Sequence, residues 1–218
     1  MKIKYLLIEF LLIFVVLVVP PLLITKPQET SQVLVFSWVT VEQLVIAIFL
    51  TVQVKKIIKT EKKDFIFCIS KATITFGALM TVYALMELTD VLTKTLSKDS
   101  PVLADNANWT GFRLIFSIIN LAVSALYEES LYRVYLPETA LFLISKTNIK
   151  KNPQLLVEIL CVAIFALSHR YLGFLAVLNA AMGGLLLRLC YRSCNNLIPG
   201  WTAHFTYNLT LILFSLLI

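Results

Sequence analysis

Seven apolar runs decide what this chain can become, at about 5–25, 33–54, 65–88, 112–145, 154–169, 172–190 and 196–218. A hydrocarbon core of about 30 Å is crossed by roughly 20 helical residues, and most of the runs reach that length. Backbone N–H and C=O groups have no water to bind in lipid, so each run is expected to be a helix that satisfies its own polar groups. Composition agrees. Hydrophobic residues make up 59% of the 218 and charged residues 15%, with a mean hydropathy of +0.84. Soluble domains are less apolar and more charged. The expectation is an all-α, polytopic transmembrane helix bundle of about seven or eight helices, multi-pass and in contact with membrane lipid.

Several details refine that picture. Lys2 and Lys4 precede an apolar run that ends at Pro20 and Pro21 without a small-residue cleavage site, so it reads as a first transmembrane helix rather than a signal peptide. The run 112–145 is too long for one simple crossing and contains Pro137, where a break into two helical pieces is expected. The polar interval 89–111 reads as a connecting loop. The net charge of +6 does not point to nucleic acid. The lysines gather in short loops, most densely at 55–63, as expected on the cytoplasmic side of a membrane.

Beyond residue 112 the charges conflict. The loop 145–153, Arg188 and Arg192 all favour the inside, whereas a turn back near Pro137 would put that loop outside; a short helix from 154 that ends within the protein would soften the conflict, and charge alone leaves the topology open. Cys68, Cys161, Cys190 and Cys194 read as small buried hydrophobes. Trp38, Trp109 and Trp201 suit interfacial belts and packing. Ala180, Ala181, Gly183 and Gly184 suit close helix packing.

Ionisable residues in the second half are few and patterned. In "ALYEESLYR" (125–133), Glu129 and Arg133 are four apart and share a helix face, so they are placed to pair. Glu128 points elsewhere and lacks that partner, as a general base in a dry site would. The two histidines end "FALSH" and open "HFTYN", which puts Phe165 with His169 and His204 with Asn208 at i, i+4. Ionisable groups within membrane helices are costly unless buried and paired, and three such helices can pack so that Glu128, His169 and His204 converge on a polar pocket. Each piece also has a structural reading. The two glutamates could sit at the membrane–water boundary, His169 in an interfacial loop, and His204 with Asn208 in an interhelical hydrogen bond.

In this order, "EESLYR" (E-E-x-x-x-R), "FALSH" (F-x-x-x-H) and "HFTYN" (H-x-x-x-N) resemble the three motifs of the CPBP family, also called the Abi or CAAX-protease family of intramembrane endopeptidases. The resemblance covers roughly residues 110–215. It implies a catalytic core at 111–218 behind variable N-terminal transmembrane helices at 1–110. It further implies water held and activated by Glu128 and His169, an oxyanion stabilised by His204 and Asn208, and support from Glu129, Arg133 and Phe165. The substrate class it implies is a membrane-associated peptide or protein, and many bacterial members are linked to bacteriocin maturation or self-immunity. A bacterial cell membrane suits the compact chain. Two cofactor readings stay open: no metal, or Zn²⁺ on Glu128, His169 and His204 as in a metalloprotease. The alternatives to an enzyme are a non-catalytic immunity or scaffold protein of the same fold and a proton-coupled carrier, for which inverted repeats would be expected.

Overall fold

A computed structural model describes residues 3–24, 38–58, 63–97, 111–147 and 153–217. Over these residues the chain forms seven helices and no strand: α1 (Ile3–Leu23), α2 (Trp38–Ile57), α3 (Phe65–Ser97), α4 (Gly111–Ser145), α5 (Gln154–Ser168), α6 (Phe174–Cys194) and α7 (Leu197–Leu217). Five helices, α1 to α4 and α6, contain stretches long and apolar enough to cross a membrane. Large apolar side chains such as Leu12, Val16, Ile48 and Ile74 face outward, the inverse of a soluble surface. The chain is an all-α membrane helix bundle.

The expected break in 112–145 does not occur as a turn. α4 runs on through Pro137, and the irregularity is absorbed upstream by a π-helical segment, Glu129–Tyr135, all seven residues of which are buried. At its end the Leu136 N–H bonds the Leu131 carbonyl, five residues back. In α register the Arg133 carbonyl would accept from residue 137, but proline has no N–H to give. Arg188 of α6 supplies the missing donor, its Nη1 lying 2.6 Å from the Arg133 oxygen.

α3 also outruns expectation. It continues through 89–97, where the Thr89 and Thr93 hydroxyls bond the carbonyls of Leu85 and Thr89 four residues back at 2.8 and 2.9 Å. The rest of that interval, with Trp109, lies outside the described residues. So do 26–31, 59–62 and 148–152 of the expected loops.

α5 is a short element. Its 15 residues span about 22 Å at 1.5 Å per residue, less than a hydrocarbon core. The chain then turns through a 3₁₀ segment, Arg170–Leu172, and reverses at Gly173, whose φ of 101° favours glycine. Arg170 anchors this turn to the Leu22 carbonyl of α1.

Two apolar clusters hold the bundle. In one, Val18, Leu50 and Val54 of α1 and α2 pack with Leu131, Tyr135, Phe165 and Tyr191. In the other, Leu79 of α3 meets Leu187, Ala203 and Tyr207 of α6 and α7. Cys68, Cys190 and Cys194 are buried free thiols.

Candidate active site

Glu128, Arg133, Phe165, His169, His204 and Asn208, drawn from three separate stretches of sequence, line one cavity of about 200 Å³. α4 brings the first two, the end of α5 brings Phe165 and His169, and α7 brings the last pair. Leu79 of α3 and Ala180 and Gly183 of α6 close the walls.

Glu128 and Glu129 diverge as adjacent helical residues must. Glu128 lines the cavity, with Oε2 3.9 Å from His204 Nε2 and Oε1 3.5 Å from the Ser124 hydroxyl. Glu129 is 1% exposed and lies behind His204, accepting from its Nδ1 at 3.0 Å. The same Oε1 is 3.3 Å from Arg133 Nε, so the expected i, i+4 pair is present within a three-group cluster. A carboxylate can only accept, so His204 carries its proton on Nδ1 and turns Nε2 toward Glu128.

His169 is fixed by similar logic. Its Nδ1 lies 2.9 Å from the Phe165 carbonyl, which can only accept, so Nδ1 is protonated and Nε2 is left as an acceptor. The Ser168 hydroxyl bonds the same carbonyl at 2.7 Å. Phe165 holds the corner by tilted and edge-on ring contacts: its ring centroid is 4.6 Å from that of His169 and 5.2 Å from that of Tyr132. The Arg133 guanidinium lies 3.6 Å over the Phe165 centroid, a cation–π contact that ties the first motif to the second.

Two glycines make this packing possible. A Cβ at Gly184 would stand 3.2 Å from Phe165 Cδ1, and one at Gly200 would stand 3.2 Å from Glu129 Oε2. Both distances are tighter than ordinary contact, so α6 and α7 approach the site as closely as they do because these positions lack side chains.

Among the described residues no group of three His, Cys, Asp or Glu side chains is disposed to hold a metal ion. Glu128, His169 and His204 share the cavity, and because Nδ1 of each histidine is hydrogen-bonded, Nε2 is the nitrogen through which either ring would bind a metal.

Sequence reading missed three participants. Arg188 was read as a marker of the cytoplasmic side, yet it is 4% exposed and pairs with Glu158 at 2.6 Å and Glu138 at 2.8 Å. Asn179 and Tyr207 also line the cavity and bond each other at 3.0 Å. Trp201, read as serving interfacial belts and packing, is half-buried and donates its indole N–H to the Ala122 carbonyl at 2.8 Å.

A membrane-embedded bundle whose interior cavity gathers a carboxylate, two oriented imidazoles and an amide has the make-up of an intramembrane hydrolase. Residues 109–210 match the family model of the Rce1-like type II CAAX prenyl endopeptidases. No curated protein and no solved structure matches the chain significantly. The family is one of intramembrane proteases, which agrees with the motif resemblance and implies a membrane-associated peptide substrate.

Proposed function

We infer that this chain hydrolyses a peptide bond near the membrane-anchored end of a lipid-modified protein or peptide, with Glu128 as general base. The observation that carries the reading is the shared cavity: Glu128, His169, His204 and Asn208 line it together, and Glu129 fixes the tautomer of His204.

In this mechanism a water molecule is held between Glu128 and Nε2 of His169. Glu128 takes its proton as the oxygen attacks the scissile carbonyl carbon. The C–O bond forms, and the carbonyl π electrons move onto oxygen. The Asn208 amide donates to that oxyanion, and Glu129, bonded to Nδ1, holds the His204 ring beside it. Collapse re-forms the carbonyl, breaks the C–N bond and expels the amine, which takes the proton from Glu128. General base catalysis of this kind contributes about 10²–10⁴ in rate and one oxyanion donor about 10²–10³. The bilayer and the apolar walls exclude bulk water, which strengthens these interactions.

Arg133 and Phe165 act as supports that hold Glu129 and His169. Residues 111–218 form the catalytic core in this reading, with 1–110 as the more variable helices. A bacterial cell membrane suits the short loops and compact size.

The test is proteolysis in liposomes. The purified chain is mixed with a farnesylated CAAX-terminated peptide, and products are identified by mass. Wild type is expected to release the C-terminal fragment and His169→Ala to lose that activity. A parallel arm with a chelator separates a glutamate-activated water, which survives, from a metal-dependent reaction, which does not. Equal, zero turnover by both proteins would favour an immunity or scaffold protein of the same fold.

A further inference from the structure

We propose that Asn179 and Tyr207 form a main-chain clamp, a subsite that grips the peptide backbone of the substrate beside the scissile bond. The inference rests on the proteolytic reading given above, and concerns groups which that mechanism does not use.

Three observations carry it. First, both residues line the same cavity as Glu128, His169 and Asn208, so the subsite is continuous with the reacting centre. Tyr207 follows His204 by three positions and precedes Leu211 by four, which keeps all three on one face of α7. Second, the pair leaves useful hydrogen-bonding capacity. Asn179 Nδ2 donates to the Tyr207 hydroxyl oxygen at 3.0 Å. A phenol has one proton to give, and no acceptor for it lies among the described residues. The Asn179 carbonyl oxygen is likewise without a donor among the described residues. The pair thus presents one donor and one acceptor side by side, complementary to the C=O and N–H of a peptide backbone.

Third, the clamp is rigid. Tyr207 is buried in the cluster with Leu79, Leu187 and Ala203. Tyr83 packs edge-on against its ring, with centroids 6.4 Å apart and an interplanar angle of 75°. A ring held in this way cannot swing its hydroxyl toward a different partner, so the donor is oriented before substrate arrives. Backbone recognition is independent of side-chain identity. It suits an enzyme that must admit varied sequences and take its selectivity from elsewhere.

A hydrogen bond to an amide that does not react is equally strong in ground and transition states, so its loss raises KM and spares kcat. The experiment uses the full chain in liposomes with the farnesylated CAAX peptide. A set of analogues has each backbone carbonyl flanking the scissile bond replaced in turn by a methylene. Tyr207→Phe is expected to raise KM about fivefold, the size of one neutral hydrogen bond, with kcat within about twofold. One methylene analogue should lose about the same factor against wild type and lose nothing further against Tyr207→Phe. Asn179→Ala should raise KM at least as much, because it removes the acceptor for the substrate N–H.

An unchanged KM with a lowered melting temperature would show that the pair only ties α6 to α7, and would overturn the proposal. A fall in kcat alone would place the phenol on the oxyanion and overturn it equally. Glu128→Gln runs alongside. If it matches wild type, the proteolytic mechanism fails. If it is inactive while Tyr207→Phe behaves as wild type, the clamp alone fails.

Discussion

Arg188 offers the sharpest test of how the bundle holds its irregular helix. Replacing it with methionine keeps most of the volume and removes the guanidinium. Four contacts go at once: two to Glu158 at 2.6 and 2.8 Å, one to Glu138 at 2.8 Å, and one to the Arg133 carbonyl at 2.6 Å. Removing one partner of a buried ion pair costs about 3–5 kcal/mol because the other charge is left stranded. Glu158 and Glu138 retain 12% and 19% exposure, so solvent reaches them and the lower end, about 3 kcal/mol, applies. The orphaned carbonyl adds about 1 kcal/mol. A loss of about 4 kcal/mol is expected, read as the unfolding free energy in mixed detergent micelles. Two controls sharpen the number. Arg192 is 45% exposed and 3.9 Å from Glu158, so Arg192→Met should cost less than about 0.5 kcal/mol. Adding Pro137→Ala to Arg188→Met restores an N–H four residues after Arg133 and should recover about 1 kcal/mol. A loss below about 1 kcal/mol for Arg188→Met would refute the reasoning that this arginine secures the π segment.

Further outcomes follow from the site itself. Gly200→Ala would set a methyl 3.2 Å from Glu129 Oε2, so kcat should fall at least about tenfold with a melting temperature within a few degrees of wild type. Glu129→Gln keeps the shape but leaves the buried Arg133, itself 2% exposed, without a counter-charge. About 3 kcal/mol of stability should go with it, measured by the same unfolding experiment. Asn208→Leu removes an oxyanion donor from the cavity wall and should lower kcat about 10²–10³-fold in the liposome assay while KM changes little.

What could be read from residues alone was what depends on local spacing. The pairs Glu129–Arg133, Phe165–His169 and His204–Asn208 lie four apart on helices, and apolar run length located the helices to within about five residues, the end of α3 excepted. Features created by packing between distant segments could not be read this way. Arg188 near the end of α6 looks like any interfacial arginine until Glu138 and Glu158 arrive from two other helices. Asn179 and Tyr207 are 28 residues apart and meet only when α6 packs on α7. A break was expected at Pro137 because proline signals a disrupted hydrogen bond without saying whether the chain turns or a neighbouring side chain supplies the donor. The extension of α3 to Ser97 was hidden because threonine-rich, polar sequence looks like a loop, whereas those hydroxyls fold back onto their own helix.

The central claim is that the Glu128 carboxylate takes the proton from the attacking water. The most direct measurement compares single-turnover hydrolysis of the farnesylated peptide by wild type and by Glu128→Gln, with melting temperatures taken on the same preparations. Glutamine preserves the shape and removes the base. A rate lowered at least about 10²-fold with a melting temperature unchanged within a few degrees is the predicted result. A Glu128→Gln protein that folds and cleaves at the wild-type rate would contradict the account.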